Sequence, residues 1–82
     1  ILGELGADTI DGGLGDDTVV GGVGNDVDTA NDSLLGGGGT DSVLGEGGND
    51  TIDGGADGDT LFGGAGADSI LGGADDDSAL GG

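Results

Sequence analysis

Eight aspartates recur in a fixed phase along this 82-residue chain: Asp8, Asp17, Asp32, Asp41, Asp50, Asp59, Asp68 and Asp77. Each is followed at once by Ser or Thr and, one residue later, by an aliphatic side chain. A carboxylate in such a row can take a basic side chain as partner, work in acid–base catalysis, or ligate a hard cation. The first role is closed, because 18 acids face no Lys, Arg or His and the formal charge is −18. Catalysis needs a nucleophile–base pair in a cleft, and acidic neighbours such as Asp16-Asp17 come without one. A metal-binding or a solvated role remains. The reading is of a binding and folding module, not an enzyme.

The missing residue types narrow the field further. Without Cys there is no disulfide framework, and without Cys or His no ordinary zinc, haem or iron–sulfur site. Nucleic acid is excluded as a direct partner, since nothing basic can neutralise a phosphate. No apolar run approaches the length of a membrane span. The 25 glycines lack the three-residue spacing and the proline of collagen. A chain this small, this acidic and this rich in glycine loses much conformational freedom on folding and repels itself. It is expected to be disordered until something cationic joins it. It begins at Ile1 with no start methionine, basic leader or cleavage site, and is expected to be a piece of a longer protein.

The elements that must position the aspartates emerge from the glycines. Gly-Gly pairs begin at Gly12, Gly21, Gly36, Gly54, Gly63 and Gly72, mostly nine residues apart. They divide the chain into eight units: 3–11, 12–20, 21–35, 36–44, 45–53, 54–62, 63–71 and 72–80. The first six positions of a unit are glycine-rich and end in the aspartate, which suits a tight turn needing positive φ and close backbone approach. The last three alternate hydroxyl, aliphatic, variable, the period-two pattern of a short strand with one inward side chain. Three residues make no strand alone, so the units must stack as a parallel solenoid. Ile1, Ile10, Val19, Leu34, Val43, Ile52, Leu61, Ile70 and Ala79 would then form a single-file core, with Ala79 too small to hold the last coil firmly.

With eight copies of Gly-Gly-x-Gly-x-Asp-x-aliphatic-x in phase, the whole chain resembles the RTX (repeats-in-toxin) calcium-binding nonapeptide repeat. The resemblance implies an all-β fold, a parallel β-roll solenoid of eight nonapeptide repeats with two short-stranded parallel sheets. Turns would alternate sides, two to a coil, with Ca²⁺ between the turns of units i and i+2. The implied ligands are the eight aspartates, with Asp26 as a ninth candidate, and the turn carbonyls of Gly13, Gly15, Gly22, Gly24, Gly37, Gly39, Gly48, Gly64 and Gly66. Oxygen donors of this kind suit Ca²⁺. About six inter-turn ions are expected, with partial sites at the ends. The resemblance also implies secretion through a type I channel, an extracellular or cell-surface location, and folding there on Ca²⁺ to stabilise or present the rest of a secreted protein. Two other readings stand beside it. One is a rigid element of a surface layer, adhesin or filament; the other is an accessory domain of a secreted protease or lipase whose active site lies elsewhere.

Irregular units sharpen these expectations. Unit 21–35 has 15 residues, read as a six-residue insertion near 25–30; an extra strand Val27-Asp28-Thr29 would instead point Asp28 into a dry core. Asp26-Val27-Asp28 does not continue as an EF-hand loop, because Asn31 and Gly37 stand where glycine and glutamate are required. Asn31-Asp32-Ser33 and Asn49-Asp50-Thr51 match a glycosylation sequon only as by-products of the repeat. Glu4 and Glu46 replace second-position glycines, and Asp57 and Asp75 fourth-position ones. Outward ninth positions form two rows: Leu2, Val20, Leu44, Phe62 and Leu80 on one sheet, Asp11, Leu35, Asp53 and Leu71 on the other. The apolar row is expected to pack on the rest of the parent protein or on another subunit.

Overall fold

In a computed structural model, which describes residues 1–22 and 29–81, the chain is all-β. Eight strands follow in order: β1 (Thr9–Leu14), β2 (Thr18–Val20), β3 (Ser33–Gly38), β4 (Ser42–Leu44), β5 (Thr51–Ala56), β6 (Thr60–Phe62), β7 (Ser69–Leu71) and β8 (Ser78–Leu80). The odd strands form one parallel sheet, ordered β1-β3-β5-β7, and the even strands a second, β2-β4-β6-β8. This is the two-sheet β-roll that the repeat implied. Consecutive units alternate sheets, so each coil of the roll contains two turns and two strands.

Hydroxyl, aliphatic and variable positions pair with their counterparts one coil on. Thr18, Val19 and Val20 lie beside Ser42, Val43 and Leu44, and these beside Thr60, Leu61 and Phe62. Backbone bonds tie the strand entries across coils, Thr51 N–H to the Asp32 carbonyl and Ser69 N–H to the Asp50 carbonyl, each at 2.8 Å. Every three-residue strand thus obtains its hydrogen bonds from neighbours rather than from its own length. β1, β3 and β5 run three residues further than the spacing predicts, because Gly13 and Leu14 pair with Gly37 and Gly38, and these with Gly55 and Ala56. Glycine-rich turns stacked in register let the parallel ladder continue through the corner.

The core is the file of eighth-position side chains. Ile10, Val19, Leu34, Val43, Ile52 and Leu61 are buried, with Ile70 packed against them. Two of the nine expected members fall outside it: Ile1 is 56% exposed, and Ala79 is exposed. Both belong to the outermost coils, which have a neighbour on one side only, and Ala79 carries little surface to bury.

Paired residues of β1 and β3 are six further apart in sequence than those of β3 and β5: Thr9 lies beside Ser33, and Ser33 beside Thr51. The inserted segment expected near 25–30, with Gly24, Asp26 and the alternative strand Val27-Asp28-Thr29, falls largely outside the described residues. Ala30 is described, and its carbonyl lies beneath Gly48 as the Gly48 carbonyl lies beneath Gly66. Ala30 therefore stands in the fourth-position place of its turn.

Candidate metal centre

The turns on each side of the roll stack their sixth-position aspartates into a column. On one side, Asp32 Oδ1 accepts the Asp8 N–H at 2.8 Å, Asp50 Oδ1 the Asp32 N–H and Asp68 Oδ1 the Asp50 N–H, both at 2.9 Å. On the other, Asp41 Oδ1 accepts the Asp17 N–H at 2.8 Å, Asp59 Oδ1 the Asp41 N–H and Asp77 Oδ1 the Asp59 N–H, both at 2.9 Å. Asp32, Asp41, Asp50, Asp59, Asp68 and Asp77 thereby each spend one oxygen on the preceding coil. The four central members, Asp32, Asp41, Asp50 and Asp59, are 1–3% exposed.

The second oxygen is the informative one. Oδ2 of Asp8, Asp17, Asp41, Asp59 and Asp68 is buried with no hydrogen-bond partner. A buried ionised oxygen without a donor is costly, and this sequence has no basic side chain to supply one. Burial is also the first cause that lifts the Asp59 carboxyl above its ordinary 3.8; the Asp41 N–H opposes the rise, and the charges of Asp41, Asp77 and Asp57 add to it. Unmet negative charge inside a cation-free chain is the condition that a bound metal ion relieves.

Geometry around those oxygens assigns different work to different glycines. A methyl group at first-position Gly36 would sit 2.7 Å from Asp41 Oδ2 and 2.6 Å from the Gly54 carbonyl; at Gly54 it would sit 2.5 Å from Asp59 Oδ2 and 2.7 Å from the Gly72 carbonyl. These first glycines have no left-handed φ. Their lack of a side chain permits the close backbone approach expected of the glycine-rich positions and adds a contact the sequence did not indicate, between a carboxylate and a carbonyl of the next coil. The only prior signal was that glycine fills the first place in all eight units.

Second and fourth positions do show the expected positive φ, at Gly13, Gly15, Gly37, Gly39, Gly48, Gly64 and Gly66. The carbonyls of Gly13, Gly15 and Gly48 face Gly37, Gly39 and Gly66 of the next coil, where a Cβ would collide with them. Glu4, Glu46, Asp57 and Asp75 take the same turn at φ 75–77°, so the replacements preserve the backbone path. Gly22 is described and buried, whereas Gly24 and Asp26 are not described.

A second ladder runs outside the first. Asp16 Oδ1 accepts the Thr40 N–H at 2.9 Å, and Asn31 Oδ1 and Asn49 Oδ1 accept the Asn49 and Ala67 N–H groups at 2.8 Å. Fifth-position Asn and Asp therefore fasten turn to turn, which explains two sequon matches without any modification. Among the described residues no three acidic side chains converge on one point. A cation in these turns would be held by one or two carboxylates completed by backbone carbonyls, a donor set that hard Ca²⁺ accepts.

Comparison with known proteins agrees with this arrangement. A sequence-family model described as the RTX calcium-binding nonapeptide repeat (4 copies) matches residues 1–28, 28–61 and 53–82. No curated protein and no solved structure gives a significant match.

Proposed function

The chain belongs to the RTX calcium-binding nonapeptide repeat family, and from that premise we propose that it folds only when Ca²⁺ fills the spaces between successive turns on both sides of the roll. The observation that carries this reading is the row of buried Oδ2 atoms without donors at Asp8, Asp17, Asp41, Asp59 and Asp68. Ligands are the sixth-position aspartates, with carbonyls of the glycine-rich turns including those of Gly13, Gly15, Gly37, Gly39, Gly48, Gly64 and Gly66. About six ions would bring the formal charge from −18 to about −6. Because the ligands come together only when coils stack, ion affinity and folding free energy are one quantity.

The fold then acts as a switch between compartments. At low cytoplasmic calcium the acidic chain stays open by self-repulsion; at extracellular calcium it closes. That behaviour suits a protein secreted unfolded, whose remaining parts the finished roll stabilises or presents. The apolar row Leu2, Val20, Leu44, Phe62 and Leu80 supplies the surface for such contacts.

Circular dichroism with graded Ca²⁺ tests the reading. Coil is expected in chelator and β-structure in a few millimolar Ca²⁺, with a sigmoidal transition. Mg²⁺ should substitute poorly, because it demands a tight octahedron and dehydrates reluctantly. At neutral pH, spectra that are β-rich in chelator, or coil at every Ca²⁺ concentration, would overturn it.

A further inference from the structure

The two outer faces of the roll differ in charge. Outward positions of the odd sheet include Asp11 and Asp53, whereas those of the even sheet are Thr18, Ser42, Thr60 and Ser78 in one row and Val20, Leu44, Phe62 and Leu80 in the other. In a chain of formal charge −18, the strands of the even face carry no charged side chain among the described residues. Parallel register sets its apolar residues side by side, and Leu2 bridges to Val20 to add a fifth rank. Leu2, Phe62 and Leu80 stay 67%, 40% and 56% exposed. Five ranks at a spacing of about 4.8 Å make an apolar ridge about 19 Å long, running across the strands.

Exposed acids border the even face mainly along its entry edge, beyond the Thr/Ser row, while Glu4 and Glu46 follow Leu2 and Leu44 on the ridge side. Asp16, Asp57, Asp75 and Asp76 lie exposed in the turns that lead into β2, β6 and β8. None is a sixth-position aspartate, so their charge survives when the turns fill with Ca²⁺. A second copy of this chain has no basic side chain to set against them. The fitting partner is apolar along one stripe and cationic along its flank. It is also helical: an extended segment laid on a sheet face finds no backbone partners there, whereas a helix satisfies its own N–H and C=O groups. About 13 helical residues span the ridge, with apolar side chains recurring at i, i+3, i+4 and i+7.

We propose that the even-sheet face of the calcium-loaded roll is the docking site for a basic amphipathic helix, with Phe62 as its central anchor and Asp57, Asp75 and Asp76 as its charged edge. The proposal rests on the calcium-dependent fold described above and names the class of partner for its apolar row.

A fluorescent peptide of about 14 Leu and Lys residues, patterned as a helix with Lys along one flank, is the probe. Its anisotropy is followed with the chain in Ca²⁺, while circular dichroism reads the roll and the peptide separately. Binding with a gain of peptide helicity is expected. Phe62→Ser should weaken it about tenfold or more, as loss of a central aromatic anchor does. Asp57→Asn with Asp75→Asn should weaken it and flatten its dependence on salt, and Leu71→Ser on the opposite face should leave it unchanged. Equal binding of a scrambled peptide of the same composition, or equal loss from Leu71→Ser and Phe62→Ser, overturns the proposal. Self-association in Ca²⁺ that Phe62→Ser abolishes assigns the face to a second copy and overturns it as well. Absence of β-structure in Ca²⁺ overturns the calcium reading and this one with it, whereas a well-formed roll that ignores the peptide overturns this one alone.

Discussion

At the scale of single residues, the first-position glycine and the sixth-position aspartate work as a pair. The glycine leaves room for a carboxylate and a next-coil carbonyl to meet, and the aspartate gives one oxygen to the neighbouring coil while the other stays buried. Gly54→Ala puts a methyl group 2.5 Å from Asp59 Oδ2 and 2.7 Å from a backbone carbonyl, neither with room to retreat. Overpacking of this kind costs about 1–3 kcal/mol. Gly13→Asn is the contrast: φ is 96°, but a Cβ there meets nothing within 4 Å, and Asn tolerates the left-handed region. The Ca²⁺ midpoint for folding should therefore rise much more for Gly54→Ala than for Gly13→Asn, and equal shifts would reject the distinction. Asp59 also makes a pH prediction. Its folded carboxyl is raised above 3.8, chiefly by burial, so the metal-free folded state holds this proton more tightly than the unfolded chain does. Stability of the metal-free roll must then rise as pH falls from the raised folded value towards 3.8. Ellipticity of the metal-free chain should become more β-like through that window, and Asp59→Asn should blunt the change. In Ca²⁺ the sign reverses, because protons compete with the ion for the same oxygens.

At the scale of elements, each strand is one inward side chain with a bonding partner on either side. The apolar file is strongest in the middle and weakest at β8, where Ala79 lies beside buried Leu61 and is exposed. Leu61→Ala removes a fully buried side chain from the single-file core, at a cost of about 2–5 kcal/mol, and should raise the Ca²⁺ midpoint steeply. Ala79→Ile extends the file by one large residue and should lower the midpoint, with slower amide exchange in β6 and β8. Unchanged exchange would show that the last coil gains nothing from a filled core. Unit boundaries and inward positions were legible here because turn and strand chemistry repeat locally. The continuation of β1, β3 and β5 through the corner was not, because it depends on backbone of the next coil lying alongside in register.

At the scale of the whole molecule, charge and topology act together. At neutral pH a formal charge of −18 with no basic side chain opposes closure of the coils. Monovalent salt screens but does not bridge: at about 0.5 M the screening length falls to about 4 Å. In chelator, added NaCl should therefore shrink the hydrodynamic radius without producing β-structure. In Ca²⁺ the compact radius should hardly respond to salt. Salt-induced β-structure in chelator would mean that neutralisation alone drives folding and that specific ion sites are unnecessary.

The order of residues, without coordinates, determined the unit count, the alternation of turn and strand, the residues of the central core and the excess of uncompensated negative charge. Each of these follows from composition and from patterns within nine residues. Tertiary structure alone decided which carboxylate oxygen is left without a donor, why the first glycine admits no side chain, and that Ile1 stays outside the core. It also decided that Ala30 takes a turn place and that Asn31 and Asn49 fasten turn to turn. Most of those features arise between residues 18 or 24 apart, where stacked coils touch, and no local pattern specifies the distance between two backbones that meet only after folding.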